Sequence, residues 1–84
     1  MWIRSQDKKI LTEIHDVEID SANQIWGSGS LIGEYSTEEK AMKVMDMIED
    51  RIRLSEMFKL HIYEPLNRTD EFVFQLPKDG DVEV

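Results

Sequence analysis

A chain of 84 residues has room for one hydrophobic core and no second, because a domain of this size removes only roughly 60–65% of its unfolded surface from water. Its hydrophobic fraction of 40% and charged fraction of 33% are ordinary for a folded globular domain and do not suggest pervasive disorder. The 18 acidic and 10 basic residues give a formal charge of −8, which disfavours generic nucleic-acid binding, since counterion release needs Lys and Arg clustered against phosphates.

Without cysteine the chain can form neither a disulfide framework nor a thiolate zinc site, and an intracellular, cytoplasmic setting is expected. No apolar run approaches the ~20 residues that cross a bilayer, and the first residues are polar and patterned, unlike a signal peptide. No membrane association is expected. Asn67-Arg68-Thr69 matches a glycosylation acceptor, which has no consequence without secretion.

In chain order, Trp2-Ile3-Arg4-Ser5 reads as a short strand that ends at the polar turn Gln6-Asp7-Lys8-Lys9. Ile10 to Ile14 forms a second strand, and Val17-Glu18-Ile19-Asp20 alternates as a half-exposed third. Ser21-Ala22-Asn23 connects it to Gln24-Ile25-Trp26, and Gly27-Ser28-Gly29-Ser30 turns the chain into Leu31-Ile32-Gly33-Glu34-Tyr35. The N-terminal half is therefore a meander of short antiparallel strands.

At Ser36 the pattern changes. Ser36-Thr37-Glu38-Glu39 has the spacing of a capping box, and its acids favour a helix N-terminus. Projected at about 100° per residue, Ala41, Val44, Met45, Ile48 and Ile52 share one stripe, with Glu39, Lys43, Asp46, Asp50 and Arg53 nearly opposite. Met47, Leu54 and Phe58 lie beside that stripe and widen the apolar face. Folding-back of the C-terminal segment over them is the simpler explanation, and a dimer or partner interface is the other. Glu64-Pro65 opposes helical continuation, so the helix ends before Tyr63. Phe72-Val73-Phe74-Gln75-Leu76 is a further strand, closed by Pro77, and the acidic stretch 78–84 is expected to fray.

The expected fold is α+β, an antiparallel sheet of about five short strands packed against one long amphipathic helix, in a single domain spanning 1–77.

Motifs that could carry chemistry are weak. His15-Asp16-Val17-Glu18-Ile19-Asp20 concentrates oxygen ligands, but it lacks the glycine and distal glutamate of a calcium loop, and a solvated strand face gives the same pattern. His15 and His61 have no ligand-like spacing. The serines at 28, 30, 36 and 55 have no nucleophile elbow. Gly27–Ser30 matches neither a phosphate-binding loop nor a dinucleotide fingerprint. Trp2, Trp26, Tyr35, Phe72 and Phe74, without a basic groove, read for the most part as sheet core residues and not as base-stacking platforms. No catalytic residue, metal site or cofactor is expected.

Met1-Trp2-Ile3-Arg4-Ser5-Gln6-Asp7-Lys8, then Leu31-Ile32-Gly33-Glu34-Tyr35-Ser36-Thr37-Glu38-Glu39-Lys40-Ala41, then Val73-Phe74-Gln75-Leu76-Pro77, resemble in the same order small uncharacterised proteins of Firmicutes and their phages or mobile elements. The resemblance implies a setting and no activity. In that setting a small acidic protein would inhibit a host nucleic-acid-binding or defence protein by occupying its basic surface, as some anti-CRISPR proteins do. The functional expectation is a non-enzymatic acidic interaction module contacting a protein partner through Asp46, Glu49, Asp50, Met47, Leu54 and Phe58, with homodimerisation as a further mode of contact. The alternative is a small-ligand or nucleotide-binding protein built around the Gly27–Ser30 turn.

Overall fold

In the computed structural model the backbone is described for residues 1–61 and 73–84, and side chains for 1–54 and 73–84. Strands β1 (Trp2–Arg4), β2 (Leu11–Glu13), β3 (Val17–Ile19), β4 (Gln24–Gly27) and β5 (Ser30–Glu34) precede one helix, α1 (Glu38–His61), and strand β6 (Val73–Gln75) follows it. The architecture is α+β, as expected. The strands divide into two three-stranded sheets, ordered β2-β1-β6 and β3-β4-β5. The second sheet is antiparallel throughout. In the first, β6 pairs parallel to β1, Ile3 lying opposite Phe74, because the helix intervenes and returns the chain in the same direction.

Gln6 joins the sheets. Its backbone N–H donates to the Ile32 carbonyl at 2.8 Å, while its side-chain amide donates to the Glu34 carbonyl and accepts from the Glu34 N–H, both at 2.9 Å. A side chain thus continues the strand ladder where the β1 backbone turns away.

The turns follow from local chemistry. Ser28 and Gly29 both have positive φ, 47° and 87°, the signature of a two-residue type I′ hairpin whose twist matches that of its strands. The strain at Ser28 is offset by its hydroxyl, which accepts the His15 N–H at 2.8 Å. In β5 a register shift sets Ile25 opposite Gly33 but Trp26 opposite Leu31. This bulge at Ile32 makes Ile32 and Gly33 both buried although they are consecutive. Gly33 is needed there, since a Cβ would stand 3.0 Å from the Tyr35 ring and 3.2 Å from Leu76 Cδ1.

Helix α1 starts one residue later than the capping-box reading places it. Thr37 is the cap: its Oγ1 accepts the Lys40 N–H at 3.1 Å and its carbonyl accepts the Ala41 N–H. The Ser36 N–H instead donates to Asp79 Oδ1 at 2.7 Å. Ala41, Val44 and Ile48 are buried with Ile3, Ile14, Ile25, Ile32, Tyr35, Phe74, Leu76 and Val82 in one core. Two expected core residues lie outside it: Trp2 is 43% exposed because strand alternation turns it away from buried Ile3, and Ile52, the last member of the predicted stripe, is 41% exposed. The core ends one turn earlier, where the Arg51 guanidinium crosses the Phe74 ring 5.5 Å from its centroid.

The expectation of a frayed 78–84 is corrected. Residues Asp79–Asp81 form a short 3-10 helix, Val82 is buried, and Lys40 Nζ donates to the Asp79 carbonyl at 3.0 Å. Tyr35 Oη donates to the Pro77 carbonyl at 2.8 Å. The segment is a strap across the N-terminal end of α1, and the apolar Val82 and the short carboxylate of Asp79 hold it there.

Candidate functional site

The candidate contacts all belong to α1, and the structure separates those whose side chains it describes into two groups. Asp46, Glu49 and Asp50 are exposed. Glu49 accepts from Arg53 at 3.0 Å, and Asp50 lies 3.9 Å from the same guanidinium. Pairs this exposed contribute little to stability, so these carboxylates are open to solvent and to an approaching charge. Met47 belongs to the other group: it is half-buried and packs against the core, beside Val82 of the strap, with which it lines a shallow depression. Leu54 is 48% exposed. The side chain of Phe58 lies outside the described residues, as does that of His61.

Residues outside the candidate set complete the acidic group. Met42 is 50% exposed. On a helix surface the neighbours of position i are i±3 and i±4, which for Met42 are Glu38, Glu39, Met45 and Asp46. A depression of about 400 Å³ is lined by Glu38, Glu39, Met42, Lys43, Asp46 and the exposed Val84. It is open and shallow, a rim of carboxylates around two apolar side chains. The sequence signal for it is the position of Met42 away from the Ala41–Ile48 stripe with acids at i−4, i−3 and i+4. A reading that looked only for the widest apolar stripe passes over a lone methionine on the charged side.

The other sequence motifs have structural uses. Asp20 spends both carboxylate oxygens on its own hairpin: Oδ1 accepts from the Ala22 and Gln24 N–H groups, and Oδ2 accepts from Trp26 Nε1 at 2.8 Å. The Trp26 bond first, then the backbone donors, hold its carboxyl below the usual range. Among the described residues no cluster of His, Asp and Glu is placed to hold a metal ion. Ser5, buried, donates to Asp7 Oδ1 and accepts the Ile10 N–H, closing the β1–β2 turn. The Gly27–Ser30 segment is the type I′ hairpin described above, with Gly27 packed so closely that a Cβ would meet Ile14 and Ile32 at 2.9 Å. Tyr35 is pushed up from its ordinary value by burial and by the nearby Asp79 carboxylate, so its hydroxyl serves as the donor to Pro77 across the whole working pH range.

No helix among the described residues is long and apolar enough to cross a membrane. Comparison of the chain with protein-family models, with curated proteins and with solved structures found no match.

Proposed function

We propose that the chain is a non-enzymatic interaction module that presents the acidic side of α1 to a basic protein surface. The observation that carries this reading is the exposed group Glu38, Glu39 and Asp46 that lines a depression with half-exposed Met42 and Lys43, continued along the helix by exposed Glu49 and Asp50. Carboxylates arranged in this way steer a cationic partner, and a central apolar side chain gives it a desolvated anchor. The methionine suits this use because its unbranched, polarisable side chain adapts to the shape it meets. A partner with Lys and Arg around an apolar position is the complement, and a nucleic-acid-binding surface is one source of it. The resemblance to proteins of phages and mobile elements makes inhibition of a host nucleic-acid-binding or defence protein the biological form of this proposal. The hairpin use of Gly27–Ser30 leaves no observation in favour of a nucleotide site there.

Recovery of partners from a related bacterial lysate at low and moderate salt tests the reading, with Asp46→Lys/Asp50→Lys beside the wild type. The expected result is a discrete basic protein that binds the wild type, is released by salt and does not bind the charge-reversed variant. A partner indifferent to both salt and reversal, or no protein partner at all, removes the acidic face from the proposal.

A further inference from the structure

We propose that the outer face of the β2-β1-β6 sheet is a self-association surface, on which two copies of the chain pair about a two-fold axis. Register sets Trp2 opposite Glu13 and Arg4 opposite Leu11. Side chains alternate across a strand, and Ile3 and Phe74 point into the core, so these four residues share the outer face. All four are exposed. Parallel pairing with β6 adds Val73 beside Trp2 and Gln75 beside Arg4.

The four residues form a patch with two different diagonals. One is apolar, with Trp2 43% and Leu11 58% exposed. The other is charged, Arg4 and Glu13. Among the described residues neither Arg4 nor Glu13 has an ion-pair partner. Arg4 donates through its Nε to the Lys8 carbonyl at 3.0 Å.

A two-fold axis in the plane of contact acts on such a patch as a mirror line acts on its outline. Laid along the apolar diagonal, it places Trp2 on Trp2 and Leu11 on Leu11 of the second copy. It also exchanges the charged corners, so that each Arg4 faces the other copy's Glu13. Strand spacing of about 4.8 Å and an i-to-i+2 repeat of about 6.8 Å make the patch close enough to square for long side chains to complete the exchange. The strands of the two copies then cross at roughly 70°, between the aligned and orthogonal modes of sheet packing. Isologous pairing requires a face complementary to itself, and this one supplies one cation and one anion in the positions the symmetry exchanges. That complementarity selects a second copy as the occupant, although a charge of −8 makes two copies repel in most other orientations. The exposed lysines at 8 and 9 in the adjoining turn reduce that repulsion locally. Strands of three residues offer much less than the ~800 Å² per partner of a standard interface, so the dimer is weak and reversible.

Sedimentation equilibrium of the full chain from micromolar to near-millimolar concentration reads it. The wild type shifts toward twice the monomer mass. Arg4→Glu alone and Glu13→Arg alone each set like charges face to face and weaken association by at least about tenfold. The double variant Arg4→Glu/Glu13→Arg restores it to within about threefold, because the same pairs form with signs exchanged. Trp2→Ser abolishes it. All these positions are exposed, and thermal melts confirm that each variant is folded. A wild type that stays monomeric at the highest concentration, association indifferent to both single reversals, or a double variant that fails to recover overturns the proposal.

Discussion

The two sheets of this domain are held together in different ways. In β3-β4-β5 each strand pairs with its neighbour in the chain, and the turns carry their own instructions: Asp20 organises one through three hydrogen bonds, and Ser28-Gly29 forms the other with positive φ at both residues. In β2-β1-β6 the third strand arrives after the helix. It is fixed by bonds of very long range, among them Gln75 Nε2 to the Ser5 carbonyl across 70 positions and the Leu76 N–H to the Arg4 carbonyl. Closing a long loop costs entropy before any contact offsets it. The β2-β1-β6 sheet therefore depends on contacts between distant parts of the chain, whereas β3-β4-β5 is closed by bonds within its own hairpins.

What the two sheets share is the core against α1, and the largest expected effect comes from removing that. Ile48 is 2% exposed in the middle of the helix. Ile48→Asp places a carboxylate there with no partner, a cost of several kcal/mol against a total stability on the order of 5 kcal/mol for a domain of this size. The expected outcome is loss of the cooperative thermal transition, followed by circular dichroism. A variant that melts as the wild type does would take Ile48 out of the core and uncouple the two sheets from the helix.

A smaller change separates the sheets. Leu76 is 1% exposed and lies immediately after β6, so Leu76→Ala removes packing where the long-range sheet closes, at an expected cost of about 2–5 kcal/mol. Native-state hydrogen exchange should show where that loss is felt. The amides of Leu76 and Val82 are expected to lose protection first, with Ile25 and Ile32 in the locally closed sheet retaining theirs. Equal loss at all four would mean that the domain opens as one unit and that the distinction between local and long-range closure has no energetic content.

The same distinction explains what could be read from the sequence. The meander, its turns and the helix are encoded by neighbours: alternation in Val17–Asp20, Asn and Gly at the turns, acids after Thr37. Those features place the elements within a few residues. The parallel pairing of β6, the split into two sheets and the anchoring of 78–84 depend on partners tens of positions away. Asp79 and Val82 form an ordinary acidic, sparse stretch until Ser36, Lys40 and the core surround them. The bulge at Ile32 was equally hidden, since Leu-Ile-Gly carries no pattern that distinguishes it from a regular strand. For the candidate site, the acidic residues of α1 were legible from helical periodicity. Met42 was not, because its significance lies in exposure, and Met47 is half-buried where the strap reaches it.

Acid should sharpen the comparison by the smallest of these effects. Asp20 acts within its hairpin, and Asp79 ties the strap to the start of α1, so one carboxylate belongs to each kind of closure. Both are held below their usual value of 3.8: Asp20 mainly by the Trp26 indole N–H, and Asp79 mainly by the Ser36 backbone N–H, with Lys40 adding a smaller contribution. A carboxyl with a lower pKa in the folded state binds fewer protons there than in the unfolded state. Its contribution is present in full above the unfolded value and is lost as pH falls through the folded one. Urea midpoints followed from about pH 6 to about pH 2 should therefore fall below pH 4 in the wild type and fall less steeply in Asp20→Asn and Asp79→Asn, which have no charge to lose. The amide of Val82 is expected to report the Asp79 substitution and not the Asp20 one, in hydrogen exchange at neutral pH. If the Asp20 substitution exposes Val82 to the same degree, the hairpin and the strap share one opening, and the local sheet supports the distant one through the core they bury together.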